Sequence, residues 1–238
     1  MQKYKDKIFP SLRDDGNGHE INDMIFENCR FNHCVLSNTK NFSKVSKVEN
    51  VILKKCIQFH CRLGPAILTN VVVDGLDTSG MFIAWGTYFD RVTLSGNVGK
   101  IKINIDIDAG VDNSRYQEPF DKFRTTFYEN VEYALDISKA KFKDFDLRGV
   151  PAAKVIRDPN TQIVITRQRA LEIAVPGWQD QLSDIVQDTY FPFAVDLLLE
   201  NGYEDKILAV PLAAPKRRRE ALLKAVDEFR AIGLAEPD

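Results

Sequence analysis

Two similar hexapeptides concentrate the groups best suited to chemistry: Cys29-Arg-Phe-Asn-His33-Cys34 and Cys56-Ile-Gln-Phe-His60-Cys61. Together they hold all four cysteines and two of the three histidines. Thiolate and imidazole are zinc ligands, so a repeated C-x3-H-C is a candidate metal site with Cys29, Cys34, Cys56 and Cys61 as ligands. The competing reading is packing. Cys29 and Cys34 are five apart, each two residues before an apolar side chain at Phe31 and Leu36, and Cys56 and Cys61 repeat the spacing with Leu63 after the second. Free cysteine commonly packs as a small hydrophobe. Packing is the preferred reading, so no cofactor is expected, and a reducing compartment disfavours a disulfide.

Paired acids come next. Asp106 and Asp108 alternate with Ile105 and Ile107, which puts both on the outer face of a strand, about 7 Å apart by strand rise. Asp112 lies just beyond. That separation suits an inverting glycosidase pair or a Ca²⁺ site, and Trp85 with Tyr88 in Trp85-Gly-Thr-Tyr88 could line a sugar groove. A solvated strand face is the commoner meaning of such a pattern. Nucleophilic catalysis has less support: His19, His33 and His60 fall in no G-x-S-x-G or Cys/His context. Neither nucleotide-binding glycine motif is present. Lys216, Arg217, Arg218 and Arg219 open the last predicted helix and could touch phosphate or an acidic partner, although such runs are usually solvated.

The elements that position these groups are organised around Leu135 to Val150, LDISKAKFKDFDLRGV. Apolar residues recur at Leu135, Ala140, Phe145 and Val150, and again two residues on at Ile137, Phe142 and Leu147. The period is five. A 3.6-residue helical turn would scatter these side chains, and a plain strand would lose phase at every fifth residue. A chain that turns a corner every five residues keeps all seven inside, as in a coil of a β-solenoid.

Ala140-Lys-Phe142-Lys-Asp and Phe145-Asp-Leu147-Arg-Gly resemble the pentapeptide-repeat proteins. The resemblance implies a right-handed, four-sided β-helix with about four pentapeptides per coil. It also implies that the cysteines point into the coil while His33 and His60 point out, so that they do not converge on one ion. Some members of that family are acidic rods that imitate duplex DNA and occupy topoisomerases. Here Lys139, Lys141 and Lys143 alternate with Asp136, Asp144 and Asp146 at outward positions, a poor imitation of phosphate.

The same beat runs through Met24, Cys29 and Cys34, with Phe26, Phe31 and Leu36, and returns at Val51, Cys56, Cys61, Ala66 and Val71 after a polar loop at 37–47. Asn50-Val-Ile-Leu and Asn70-Val-Val-Val repeat at twenty residues, one coil, with Asn suited to the corners. Gln58 is the exception, an inward polar group that needs a partner. Residues 1–20 contain Pro10 and Asp14-Asp15-Gly16-Asn17-Gly18 and read as an irregular lead-in or cap. Beyond Gly75 the coils lengthen into alternating strands at Val92–Ser95 and Ile101–Ile107, with turns at Gly96, Gly99 and Gly110. An inserted loop is predicted at Asp112–Pro119, and 120–134 fits either a short helix or an irregular wall.

After Val150 the pattern becomes helical. Thr166 can cap a helix to Ala174, a stripe from Trp178 to Tyr190 ends at Pro192, Asn201-Gly202 stops the next helix, and Gly233 stops the last. The expected fold is therefore mainly β: one elongated unit with a lead-in at 1–20, a right-handed β-helix at 21–165 and a C-terminal α-helical cap at 166–238.

Hydrophobic content of 44% with 28% charge describes a soluble globular chain, and a formal charge of −2 does not suit a generic nucleic-acid binder. No apolar run would span a bilayer and MQKYKDKIFPS has no secretory core, so the expectation is cytoplasmic, with no membrane association and no nucleic-acid partner. The functional expectation is a non-catalytic protein-binding scaffold, most concretely an immunity or resistance factor that neutralises a toxin or enzyme. The balance is against enzymatic activity. A β-helix polysaccharide-active enzyme or lectin and a topoisomerase-binding DNA mimic are the alternatives, and the oligomeric state is open.

Overall fold

The computed structural model describes residues 1–108 and 114–237, which fall into two compact units, Met1–Ile156 and Arg157–Asp238. The chain is mainly β, with a large parallel sheet. The first unit runs β1 (Gln2–Lys5), β2 (Ile8–Pro10), β3 (Glu20–Glu27), β4 (Arg30–Asn32), β5 (Val35–Leu36), β6 (Ser46–Phe59), β7 (Arg62–Leu63), β8 (Ala66–Trp85), β9 (Tyr88–Asp90), β10 (Val92–Asn104), α1 (Ser114–Glu129), β11 (Leu135–Leu147) and β12 (Val155–Ile156). Its main path is β1-β3-β6-β8-β10-β11-β12, and every pairing in it is parallel.

Register explains the five-residue beat. Leu135, Ile137, Ala140, Phe142, Phe145, Leu147 and Val150 are all buried. Tyr4, Phe26, Leu53, Val73 and Leu94 form one column across five strands. The twenty-residue repeat is a register too, with Val51 opposite Val71 and Leu53 opposite Val73.

The beat reappears in the backbone as corners. Asp23, Asn28 and His33, then Asn50, Lys55 and His60, have φ between 50° and 55°, and Gly75 and Gly96, five residues after Asn70 and Arg91, are also at positive φ, 78° and 67°. Left-handed backbone costs a non-glycine residue about 1–2 kcal/mol. Side-chain ladders between consecutive corners help to offset that cost. Asn28 Nδ2 donates to Asp6 Oδ1 (2.6 Å), Asn70 Nδ2 to Asn50 Oδ1 (3.2 Å) and Arg91 Nε to Asn70 Oδ1 (2.7 Å). Gln58 has its expected partners: Nε2 donates to the Thr78 carbonyl (2.7 Å) and Oε1 accepts from the Cys61 amide (3.1 Å).

Residues 1–20 are irregular only in part, with bends and a single Arg13–Val35 bridge at 11–19. β1 pairs with β3 and β2 with β4, so this segment extends the parallel sheet. Residues 114–129 form a helix, which resolves the two readings of 120–134 and replaces most of the predicted loop; Gly110 and Asp112 lie outside the described residues. The reason α1 packs where it does lies in one column of the sheet. Glu20 and Lys47 are succeeded there by Ile67 and Tyr88, which join Phe120, Phe123 and Phe127 in an apolar cluster.

The second unit contains β13 (Gln162–Thr166), α2 (Arg167–Ile173), α3 (Asp184–Gln187), α4 (Tyr190–Glu200), β14 (Asp205–Ala209) and α5 (Lys216–Ala231). It is not wholly helical. β13 pairs antiparallel with β14, Ile163 opposite Leu208, which moves the boundary from 165 to Ile156. Ile165, Trp178, Val186, Phe191, Leu198, Val226 and Phe229 belong to its own core. Thr166 caps α2 by accepting from the Arg169 amide (3.4 Å), and Gly202 and Gly233 follow α4 and α5 at positive φ. Pro192 does not end a helix. It sits in the first turn of α4, where its missing N–H is no loss.

Candidate functional site

Each cysteine thiol is directed at backbone. Cys29 Sγ donates to the carbonyls of Tyr4 (3.6 Å) and Glu27 (3.5 Å), Cys34 Sγ to Phe9 (3.2 Å), Cys56 Sγ to Phe26 (3.5 Å) and Cys61 Sγ to Phe31 (3.3 Å). The strand below supplies the acceptor each time. Cys29 and Cys56 are buried, all four thiols are free, and burial pushes the Cys56 and Cys61 thiols up. Among the described residues no group of three or more His, Cys, Asp or Glu is placed to hold a metal ion. The histidines of the same hexapeptides are exposed instead. His33 and His60 stack at 5.5 Å between ring centroids, and the Phe59 ring meets both edge-on, at 5.4 and 4.2 Å.

The acidic pair does not occupy a strand face. β10 ends at Asn104, Asp106 follows it in a bend, and Asp108 lies just past that bend. Asp106 is exposed. Asp108 is half-buried and held by Arg62 Nη2 (2.7 Å), with Lys40 Nζ at 3.9 Å. Asp112 lies outside the described residues. Trp85 is the half-buried last residue of β8. Tyr88 is no groove residue: it is fully buried, donates its hydroxyl to the Phe120 carbonyl (2.8 Å) and packs edge-on to Phe123. Burial raises its phenol, and Arg124, 5.3 Å from the ring centroid, opposes that shift. Lys216, Arg217 and Arg218 are exposed in the first turn of α5; Lys216 reaches Glu220 (3.7 Å), and half-buried Arg219 donates to the Leu212 carbonyl (3.4 Å).

Two arrangements escaped sequence reasoning. The first is a buried network around Asp14. Its Oδ2 accepts from the Ser37 amide (3.0 Å) and the Ser46 hydroxyl, and its Oδ1 from the Asn17 amide (3.1 Å), with His19 Nε2 at 3.9 Å. Burial alone would raise this carboxyl, but the bonds from Ser46, Asn17 and Ser37, with His19 nearby, bring it below the usual carboxylate range. The Ser46 hydroxyl is occupied by the carboxylate and both serines are buried, so the group serves as a structural clasp. Nothing in Asp14-Asp15-Gly16-Asn17-Gly18 separates it from an ordinary turn. The second is a set of exposed apolar side chains in the Arg157–Asp238 unit: Leu171, Val175, Ile185, Tyr190 and Phe193. The missing signal there is helix phase, since the stripe from Trp178 to Tyr190 is broken into short helical pieces.

Comparison with protein-family models, curated proteins and solved structures finds no match to this chain. No helix among the described residues is long and apolar enough to cross a membrane.

Proposed function

We propose that the chain is a non-catalytic protein-binding scaffold, in which a right-handed β-helix of pentapeptide-repeat-like coils accompanies a helical unit that contacts the partner. The all-parallel register, the five-residue inward beat and the left-handed corners at the same interval support the β-helix. One observation carries the binding role. Leu171 and Phe193 are 59% and 56% exposed, and Val175, Ile185 and Tyr190 are exposed with them on or beside α2, α3 and α4. α4 packs against both other helices, and the Tyr190 and Phe193 rings lie 6.2 Å apart. Tyr190 and Phe193 adjoin one another on α4, and adjoining large exposed apolar side chains are a mark of a protein contact. An immunity or resistance factor that neutralises a toxin or enzyme is the most concrete form of this reading.

The sugar-binding alternative is weakened, since Tyr88 faces the core and Asp108 is ion-paired, which leaves only exposed Asp106 and half-buried Trp85 of its candidates. The DNA mimic is disfavoured by an outward column in which Lys5, Glu27, Lys54 and Asp74 alternate in sign.

The test is capture of a partner from the source cell and its reconstitution in purified form. Leu171→Asp and Phe193→Asp, both at exposed positions, are expected to weaken the complex about tenfold or more each, while Asp106→Asn with Asp108→Asn leaves it intact. Undiminished binding in both Asp variants, or a polysaccharide-cleaving activity abolished by the double Asn variant, overturns the reading.

A further inference from the structure

We propose that His33 and His60 form a two-imidazole site for a late first-row divalent cation, with Cu²⁺ preferred over Ni²⁺ and Zn²⁺. The two residues occupy equivalent corners of successive turns of the sheet, one register step beyond the paired Asn32 and Phe59. Both have left-handed backbone, φ 53° and 50°, and the His33 amide donates to the Phe59 carbonyl (2.8 Å). Their Cα positions are therefore fixed by the sheet, while both rings are exposed.

The spacing suits chelation. A metal about 2.0–2.1 Å from one nitrogen of each ring places the centroids about 4.5–6.5 Å apart as the N–metal–N angle opens from about 90° to 180°. The observed separation is 5.5 Å, between the cis and trans values, so a shift of about 1 Å of the rings gives either arrangement of two equatorial nitrogens. The rings are nearly parallel, at 12°, so they must turn about their side-chain torsions to converge, which exposed imidazoles do at little cost. The backbone need not move. Phe59, edge-on to both rings, forms a wall beside them. The cysteines of the same hexapeptides are turned inward, so the site offers two nitrogens and leaves the other positions to water. Imidazole donors without thiolate favour Cu²⁺ and Ni²⁺ by the Irving–Williams order.

The test is titration of the untagged chain, stripped with chelator, with CuSO4 and NiCl2, followed by calorimetry and by electron paramagnetic resonance of the Cu²⁺ form. His33→Asn and His60→Asn keep a residue that tolerates left-handed backbone, and His19→Asn removes the remaining histidine. One equivalent of Cu²⁺ is expected, with a spectrum of two equatorial nitrogens. Affinity should fall about a hundredfold in either His33→Asn or His60→Asn, as expected when one of two linked donors is lost, and stay unchanged in His19→Asn. Circular dichroism confirms that the variants are folded. Wild-type affinity in either of the first two variants, or loss of binding in His19→Asn, overturns the proposal.

Discussion

Asp14 shows how a single side chain can tie a turn-rich segment to the sheet. Its carboxylate accepts bonds from Ser37, Ser46 and Asn17, residues that span 14–46 in the chain. Replacing it with Asn removes the charge and places an amide donor where donors already point. Asp14→Asn should therefore cost about 1–3 kcal/mol at neutral pH. The pH dependence has a definite sign. A carboxyl whose pKa is lower in the folded state contributes stability that is fully present above its unfolded value, roughly pH 4, and is lost as pH falls through the folded value. Urea unfolding at pH 7 and pH 3 is the measurement. The gap between wild type and Asp14→Asn is expected to narrow at the lower pH, and a constant gap would show that the carboxylate's ionisation does not matter.

At the scale of elements, close approach of neighbouring turns sets which small residues are irreplaceable. A Cβ on Gly64 would lie 2.0 Å from the Ser37 carbonyl oxygen and 2.9 Å from its carbon, both backbone atoms of the adjacent turn. A Cβ on Gly80 would meet nothing within 4 Å. Gly64→Ala should lose about 2–3 kcal/mol from overpacking, whereas Gly80→Ala should stay within about 0.5 kcal/mol of wild type. Denaturant midpoints at unchanged m-value distinguish the two, and equal effects would mean that the turns are free to separate. Nothing in the sequence separates the two glycines, because the atom that Gly64 avoids belongs to Ser37, far from it along the chain. The five-residue beat at Leu135–Val150 was legible because all seven side chains share one fate, burial, and in the earlier turns Asn50 and Asn70 mark corners because Asn tolerates left-handed backbone. What was lost is non-local or directional. β13 finds its partner more than forty residues later, in β14. Tyr88 turns toward a helix that follows it in sequence, and the alternation that placed Asp106 and Asp108 on a strand continues past the residue where pairing stops.

For the Met1–Ile156 unit as a whole, the parallel pairings make each turn of the sheet depend on its immediate neighbours. β6 lies between β3 and β8, and β8 between β6 and β10, so each has hydrogen-bonded strands on both sides. Among the described residues β1 pairs only with β3 and β2 only with β4. If each strand is held chiefly by its paired neighbours, a strand paired on one side opens before a strand paired on two. Native-state hydrogen exchange should follow that order. Amides of β6 and β8 are expected to exchange about a hundredfold or more slowly than those of β1 and β2, a difference of about 3 kcal/mol in opening free energy. Loss of β1 and β2 protection in mild urea should precede loss in β6 and β8. If all four strands instead exchange at one rate and lose protection at one urea concentration, the unit opens as a single cooperative body and nearest-neighbour stacking does not govern its stability.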